Sequence, residues 1–217
     1  MRTAFVQKLS EMANKDARIT LITGDLGFGV LTEFAQRFPK QYFNAGVAEQ
    51  NMTGLATGLA LEGRIVFTYS IANFSTLRCL EQIRNDAAYH RCHVIVVSVG
   101  GGFSYGQLGF SHHATEDLSI MRAIPGMTVV APCDKWEAGH AVESLVQTPG
   151  TAYLRLDRAG PEPQVQAGEK FHLGRIRTLR PGSDFTILVA GGILEVALQV
   201  ADRWQTRGKS LRVLSCH

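Results

Sequence analysis

At 217 residues, with 45% hydrophobic and 19% charged side chains, the chain can bury one full domain core and part of another, which excludes a disordered protein. The formal net charge of +3 is small and its basic residues are scattered, so neither nucleic acid nor a membrane surface is expected as a partner. The N-terminus, Met1-Arg-Thr-Ala-Phe-Val-Gln-Lys-Leu-Ser10, lacks the continuous apolar core of a signal peptide, and no apolar run approaches the ~20 residues of a membrane span, so a cytoplasmic location is expected.

Phe5, Leu9 and Met12, with Val6 and Ala13 beside them, recur at helical spacing and predict an amphipathic helix ending near Lys15-Asp16. Ile19-Thr-Leu-Ile-Thr23 reads as a buried strand closed by the turn Gly24-Asp25-Leu-Gly27. Ligands collect outside the carboxyl ends of strands in open α/β sheets, which makes Asp25 a candidate site residue. The same strand-then-turn pattern returns at Arg64 to Ser70, His93 to Gly100, Thr128 to Ala131 and Thr151 to Leu156, with helical patterns between. The predicted fold class is therefore α/β, a mostly parallel doubly wound sheet. Cys79, Cys92, Cys133 and Cys216 show neither a C-x-x-C pair nor another metal-ligand spacing, and reduced thiols are expected.

The most informative stretch is Asn44-Ala-Gly-Val-Ala-Glu-Gln-Asn-Met-Thr-Gly-Leu-Ala-Thr-Gly-Leu-Ala-Leu-Glu-Gly63. It places Glu49 where a short extended segment gives way to a long helix of small and apolar residues. Gly54 and Gly58 lie four apart on one face, open to close approach by another helix or a cofactor, and the helix is expected to be buried. A carboxyl entering that environment is disfavoured as an anion unless something hydrogen-bonds it, which suits proton exchange with a heterocycle. The alternative is a carboxylate that only complements the helix macrodipole.

A second unusual stretch, Gly100-Gly-Gly-Phe-Ser-Tyr-Gly-Gln-Leu-Gly-Phe-Ser-His-His-Ala-Thr-Glu-Asp117, is too long and glycine-rich for a simple crossover turn, and such loops tend to carry function. It has neither the dinucleotide-fold glycine spacing nor a P-loop ending. His112, His113, Glu116 and Asp117 offer a rival reading as metal ligands, weakened because adjacent histidines point apart and no third well-spaced ligand group stands out.

Gly46-Val-Ala-Glu-Gln-Asn-Met52 followed by Gly54-Leu-Ala-Thr-Gly-Leu-Ala60 resembles the cofactor-binding signature of the transketolase family, in the domain that holds the aminopyrimidine of thiamine diphosphate. The resemblance implies that the Glu49 carboxyl bonds a pyrimidine ring nitrogen. Phe67-Thr-Tyr-Ser-Ile-Ala-Asn-Phe-Ser-Thr-Leu-Arg78 falls where the family stacks aromatics on that ring: Phe74 matches the main position, while Ile71 and Leu77 leave the slot less aromatic. Gly109-Phe-Ser-His112 resembles the family's Gly-Pro-Thr-His, which makes His112 a substrate residue beside Ser111. Leu108 replaces an acid that contacts a sugar hydroxyl in relatives, implying, with Phe110, an unusual substrate. Arg155 falls near an Arg that binds the far end of the substrate, with a surface ion pair as its alternative. Arg84-Asn-Asp86 resembles an Arg-x-Asp motif expected to form a structural ion pair near a dimer interface.

The resemblance covers residues 1 to about 160 in detail. A linker is expected over 161–180, because Ala159-Gly-Pro-Glu-Pro163 and the residues to about Gly168 are rich in proline and polar side chains. Residues 181–217 resemble the beginning of the transketolase C-terminal domain, apparently incomplete, with a single βαβ unit. The activity implied is transfer of a two-carbon ketol unit between sugars or sugar phosphates. The family's diphosphate motif, Gly-Asp-Gly followed by Asn, is missing, Gly24-Asp25-Leu26-Gly27 being the nearest string. The diphosphate and its Mg2+ or Ca2+ are therefore expected on a partner subunit, in an α2β2 assembly. A decarboxylating relative (a deoxyxylulose-phosphate synthase or a 2-oxo acid dehydrogenase β subunit) and a non-catalytic regulatory subunit are the competing readings.

Overall fold

A computed structural model describes residues 1–158, 160–163, 165–166 and 168–217. Ala159, at the head of the expected linker, lies outside the described residues, as do Gln164 and Ala167. The chain runs α1 (Arg2–Ala13), β1 (Ile19–Thr23), α2 (Thr32–Arg37), β2 (Tyr42–Asn44), α3 (Glu49–Leu61), β3 (Ile65–Ile71), α4 (Ala72–Thr76), α5 (Leu80–Gln82), β4 (Val94–Val99), α6 (Asp117–Ala123), β5 (Thr128–Val130), α7 (Lys135–Gln147) and β6 (Ala152–Leu156). Six strands form one sheet in the order β2-β1-β3-β4-β6-β5, every pairing parallel. Among the described residues, no helix is long and apolar enough to cross a membrane.

Strands covered on both faces must be apolar along their whole length, and β1 and β4 are buried at every position. On one face α1, α2 and α7 pack through Phe5, Leu9, Phe34 and Leu145; on the other Met52, Ala56, Ile83 and Met121 fill the space beneath α3 to α6. Each fully buried Leu, Ile or Phe in these layers contributes roughly 1.5–3 kcal/mol. The strand order reverses at β1 and β3, because the chain leaves β1 for β2 and then crosses back to β3. Their carboxyl ends therefore part there and open a crevice.

Helix α3 is buried on only one side. Met52, Thr53, Ala56 and Thr57 face the sheet, whereas Gly54 and Gly58 are exposed, and nothing in the chain lies within 4 Å of where their Cβ atoms would be. This corrects the expectation of a fully buried helix: the face open to close approach has no cover from this chain. Beyond α4 the helical path changes pitch, through a 3-10 turn at Leu77–Cys79 to a π turn at Ile83–Ala88. Arg84 is exposed in that π turn and donates to Asn85 Oδ1 at 2.7 Å. Among the described residues neither Arg84 nor Asp86 has an ion-pair partner, and the ion-pair site expected near a dimer interface is not tested by one chain.

After β6 come β7 (Arg177–Arg180), β8 (Phe185–Val189), α8 (Leu194–Gln205) and β9 (Leu211–Ser215). They form a second sheet, β7-β9-β8, in which β7 runs antiparallel and β8 parallel to β9. Strand β7 falls inside the stretch expected to be linker. It is held by Arg177, buried beside Trp136, which donates to Asp134 at 2.8 Å, Glu137 at 3.2 Å and Glu169 at 2.5 Å. A guanidinium's fixed fork of donors suits such a cluster of carboxylates. Gly191 N–H donates to Ala131 O at 2.9 Å and Ser215 Oγ lies 2.9 Å from Glu137 Oε2, so the second sheet is docked on the first.

Candidate active site at the crevice between β1 and β3

Glu49 is the first residue of α3, set at the crevice, and its side chain is 1% exposed. Gly24, at the end of β1, lies against it: a Cβ there would stand 3.4 Å from Glu49 Cγ. Arg78 Nη1 donates to Glu49 Oε2 at 2.8 Å, while Oε1 is buried with no hydrogen-bond partner among the described residues. A buried carboxylate oxygen without a donor is costly, and such an atom in a native fold calls for a ligand or water to complete it.

Asp25 sits beside this point in a left-handed conformation, φ 57°. Its Oδ1 accepts from Asn44 Nδ2 at 2.9 Å while its own N–H donates to Asn44 Oδ1 at 3.0 Å, so it closes the turn between β1 and β2. Ile71, at the end of β3, caps α4 and is half-buried. Phe74, one helical turn on, carries the Arg78 guanidinium 4.4 Å from its ring centre. That cation–π contact and the ion pair fix Arg78 from two sides.

The opposite wall is the glycine-rich loop. His112 meets Phe74 edge-on with ring centres 5.0 Å apart, and Ser111 Oγ lies 3.0 Å from His112 Nδ1. Asn73 Nδ2 donates to Ser111 O at 2.6 Å, tying the loop to α4. Tyr105 stands 5.9 Å from His112, ring to ring, and Arg158 lies 5.3 Å from the centre of the Tyr105 ring. A continuous row thus runs Glu49, Arg78, Phe74, His112, Tyr105, Arg158. Leu108 and Phe110 stand apart from it, their side chains exposed.

Arg155 adjoins the row's far end. Its guanidinium is 3.5 Å from Asp117 Oδ1 and 3.8 Å from Asp157 Oδ2, and it passes so close to Gly101 that a Cβ there would be 2.0 Å from Nε. It lines a cavity of about 730 Å³ together with Arg2, Ser104, Asp157 and Arg158. Arg2 and Arg158 have no carboxylate within ion-pair distance among the described residues. The rival metal ligands are drawn elsewhere: Asp117 accepts from the Tyr153 hydroxyl at 2.7 Å, Glu116 accepts from Thr115, and His113 Nε2 lies 2.9 Å from Gly106 O. Among the described residues no group of three or more His, Cys, Asp or Glu side chains is gathered as a metal site.

Sequence reasoning overlooked Arg78, Asn73, Tyr105 and Arg158. Only Arg78 carried a usable signal, lying four residues after Phe74 on a predicted helix.

A parallel sheet with a buried carboxyl and an aromatic at its switch point places the chain in the class of open α/β proteins with a ligand site at the carboxyl ends of their strands. Residues 1–161 match the transketolase pyrimidine-binding domain, and the chain belongs to the transketolase family. It is 37% identical over 215 residues to one subunit of an apulose-4-phosphate transketolase of Phocaeicola vulgatus, covering 98% of this chain and 69% of that protein. It is 36% identical to a 6-deoxy-6-sulfo-D-fructose transketolase subunit of a Clostridium species, covering 100% of this chain and 68% of the relative. A solved structure of a split-gene transketolase, an inactive β4 tetramer, superposes with a TM-score of 0.87 at 33% identity, covering 99% of this chain and 70% of that one.

Proposed function

We propose that this chain is the pyrimidine-binding subunit of a thiamine-diphosphate-dependent transketolase and transfers a two-carbon ketol unit from a ketose to an aldose. The observation that carries this reading is Glu49 Oε1, a buried acceptor at the sheet's switch point with no partner among the described residues. The residues present fit an aminopyrimidine: Glu49 would exchange a proton with a ring nitrogen, Phe74 would lie against the ring, and Ile71 and Asp25 would bound the slot. When bound, the cofactor supplies the nucleophilic carbon and electron sink for breaking a carbon–carbon bond beside a carbonyl.

The chain's own residues supply position and proton management. Arg78 holds one Glu49 oxygen and leaves the other for the ligand. His112, fixed between Phe74 and Ser111, would orient a substrate hydroxyl near the reacting carbon and help move its proton. Arg158 and Arg2 suit the anionic end of a sugar phosphate, with Arg155 behind them held by Asp117 and Asp157. Leu108 would leave one sugar hydroxyl unread. The names of the two relatives carry a phosphate and a sulfo group, which supports a substrate with an anionic end.

The diphosphate and its Mg2+ or Ca2+ would be held by a second polypeptide, in an α2β2 assembly. Names with the word "subunit" among the relatives support a partner. The deciding assay mixes this chain with a diphosphate-binding transketolase subunit, thiamine diphosphate and Mg2+. Ketol transfer to ribose 5-phosphate is expected in the mixture and from neither chain alone, with a deoxy ketose phosphate used at least as well as xylulose 5-phosphate because Leu108 leaves one hydroxyl unread. Carbon dioxide release from pyruvate without ketol transfer would favour the decarboxylating reading. A mixture that binds the cofactor yet turns over neither substrate would favour a regulatory subunit.

A further inference from the structure

The wall between His112 and Arg158 is Tyr105, whose seat is unusually specific. Its ring lies over Gly100, where φ is +80° and a Cβ would come within 2.3 Å of Tyr105 Cε2, so only glycine admits the ring there. The Arg158 guanidinium covers the ring at 5.3 Å, and the His112 imidazole is 5.9 Å away on the other side. Seated between these groups, the half-buried phenol makes no hydrogen bond through its hydroxyl to any described residue. Burial pushes the phenol up, against the pull of the Arg158 and Arg2 charges, so it is protonated and a donor at neutral pH. Its hydroxyl is not sealed from solvent, so it opens onto the crevice and can exchange water for a ligand oxygen.

We propose that Tyr105 is a specificity-determining residue whose hydroxyl donates a hydrogen bond to a substrate oxygen lying between His112 and the guanidiniums of Arg158 and Arg2. The substrate class is a polyhydroxylated sugar with a terminal anion, and the placement of that substrate rests on the function proposed above. Leu108 on the same loop has no polar side-chain atom to offer and is 52% exposed, so at this wall the Tyr105 hydroxyl adds a reader to those that His112 and Ser104 supply. A site built to pair with a substrate oxygen discriminates sharply against ligands that cannot supply it.

The test compares wild type with Tyr105→Phe, which keeps the ring and its contacts, in the complex with the diphosphate-binding partner. Calorimetric binding of ribose 5-phosphate is read alongside kcat and KM for ketol transfer. Tyr105→Phe is expected to weaken ribose 5-phosphate about tenfold, on the scale of one lost hydrogen bond. KM should rise for the ketose while cofactor affinity and melting temperature stay unchanged. If wild type turns over and Tyr105→Phe binds and discriminates like it, the inference fails while the proposed function stands. If wild type shows no ketol transfer but Tyr105→Phe still loses ribose 5-phosphate, the proposed function fails and the Tyr105 contact stands. Absence of ribose 5-phosphate binding by wild type would overturn the contact itself.

Discussion

The two walls of the crevice are built in opposite ways. Glu49 comes from the first turn of a helix locked to a six-stranded sheet, its side chain 1% exposed and held by Arg78 and the close-packed Gly24. His112 comes from a loop of glycines with exposed Leu108 and Phe110, tied to α4 by a hydrogen bond from Asn73 and by edge contact with Phe74. The contrast separates two demands. On the proposed function, Glu49, which would exchange a proton with a cofactor ring at fixed distance, is best placed on rigid elements, whereas His112, which would meet changing substrates, tolerates a loop.

The largest expected effect follows from the rigid wall. Glu49→Gln keeps shape and one hydrogen bond but cannot pass a proton, so kcat should fall by about 10³-fold or more with the fold unchanged. Stopped-flow or steady-state assay of the complex, with circular dichroism as control, reads this, and near-normal turnover would break the assignment. On the loop wall, His112→Asn retains hydrogen bonding while losing the imidazole, and a smaller loss, about 10²-fold in kcat/KM, is expected with cofactor affinity intact. If His112→Asn instead abolished cofactor binding, the division of labour between the walls would be wrong.

A still smaller effect sharpens the contrast without activity. Cys79, directly after Arg78, is fully buried, and burial pushes its thiol up to about 11. Its thiolate fraction is therefore negligible at pH 8, and reaction with a disulfide reagent should be slow in the folded chain. Cys216, half-buried, should label first. Mass-spectrometric mapping of early label on Cys79 would mean that the Glu49 wall opens readily, contrary to its packing.

What the sequence revealed depended on how local the determinant was. Ile19–Thr23 was legible to the residue because an uninterrupted apolar run buried on both faces has only one use in such a fold. The strands at Val94–Val99, Thr128–Val130 and Ala152–Leu156 lie within their expected segments, and β3 runs one residue past Ser70 to Ile71. Tyr42–Asn44 registered only as an extended segment, since it is a short edge strand with two of its three residues exposed. The composition around β7 hid a strand, because the partners that bury Arg177 include Asp134, Trp136 and Glu137, some forty residues away in the sequence. Glu49 and His112 were findable from their motifs. Arg78 could have been found from its place four residues after Phe74, whereas Asn73 and Tyr105 make contacts between α4 and the loop that no spacing encodes.

The rigid wall also sets the most direct test. On the proposed function it would offer an acceptor to a pyrimidine but has, in the turn Gly24-Asp25-Leu26-Gly27, an Asp25 already committed to Asn44 and no second glycine or following Asn for a metal and diphosphate. Calorimetric titration of the isolated chain with thiamine diphosphate and Mg2+ measures whether this chain suffices. Weak binding that tightens at least tenfold when the diphosphate-binding subunit is added is the expected result. Tight binding by the chain alone, unchanged by the partner, would contradict a site divided between two polypeptides.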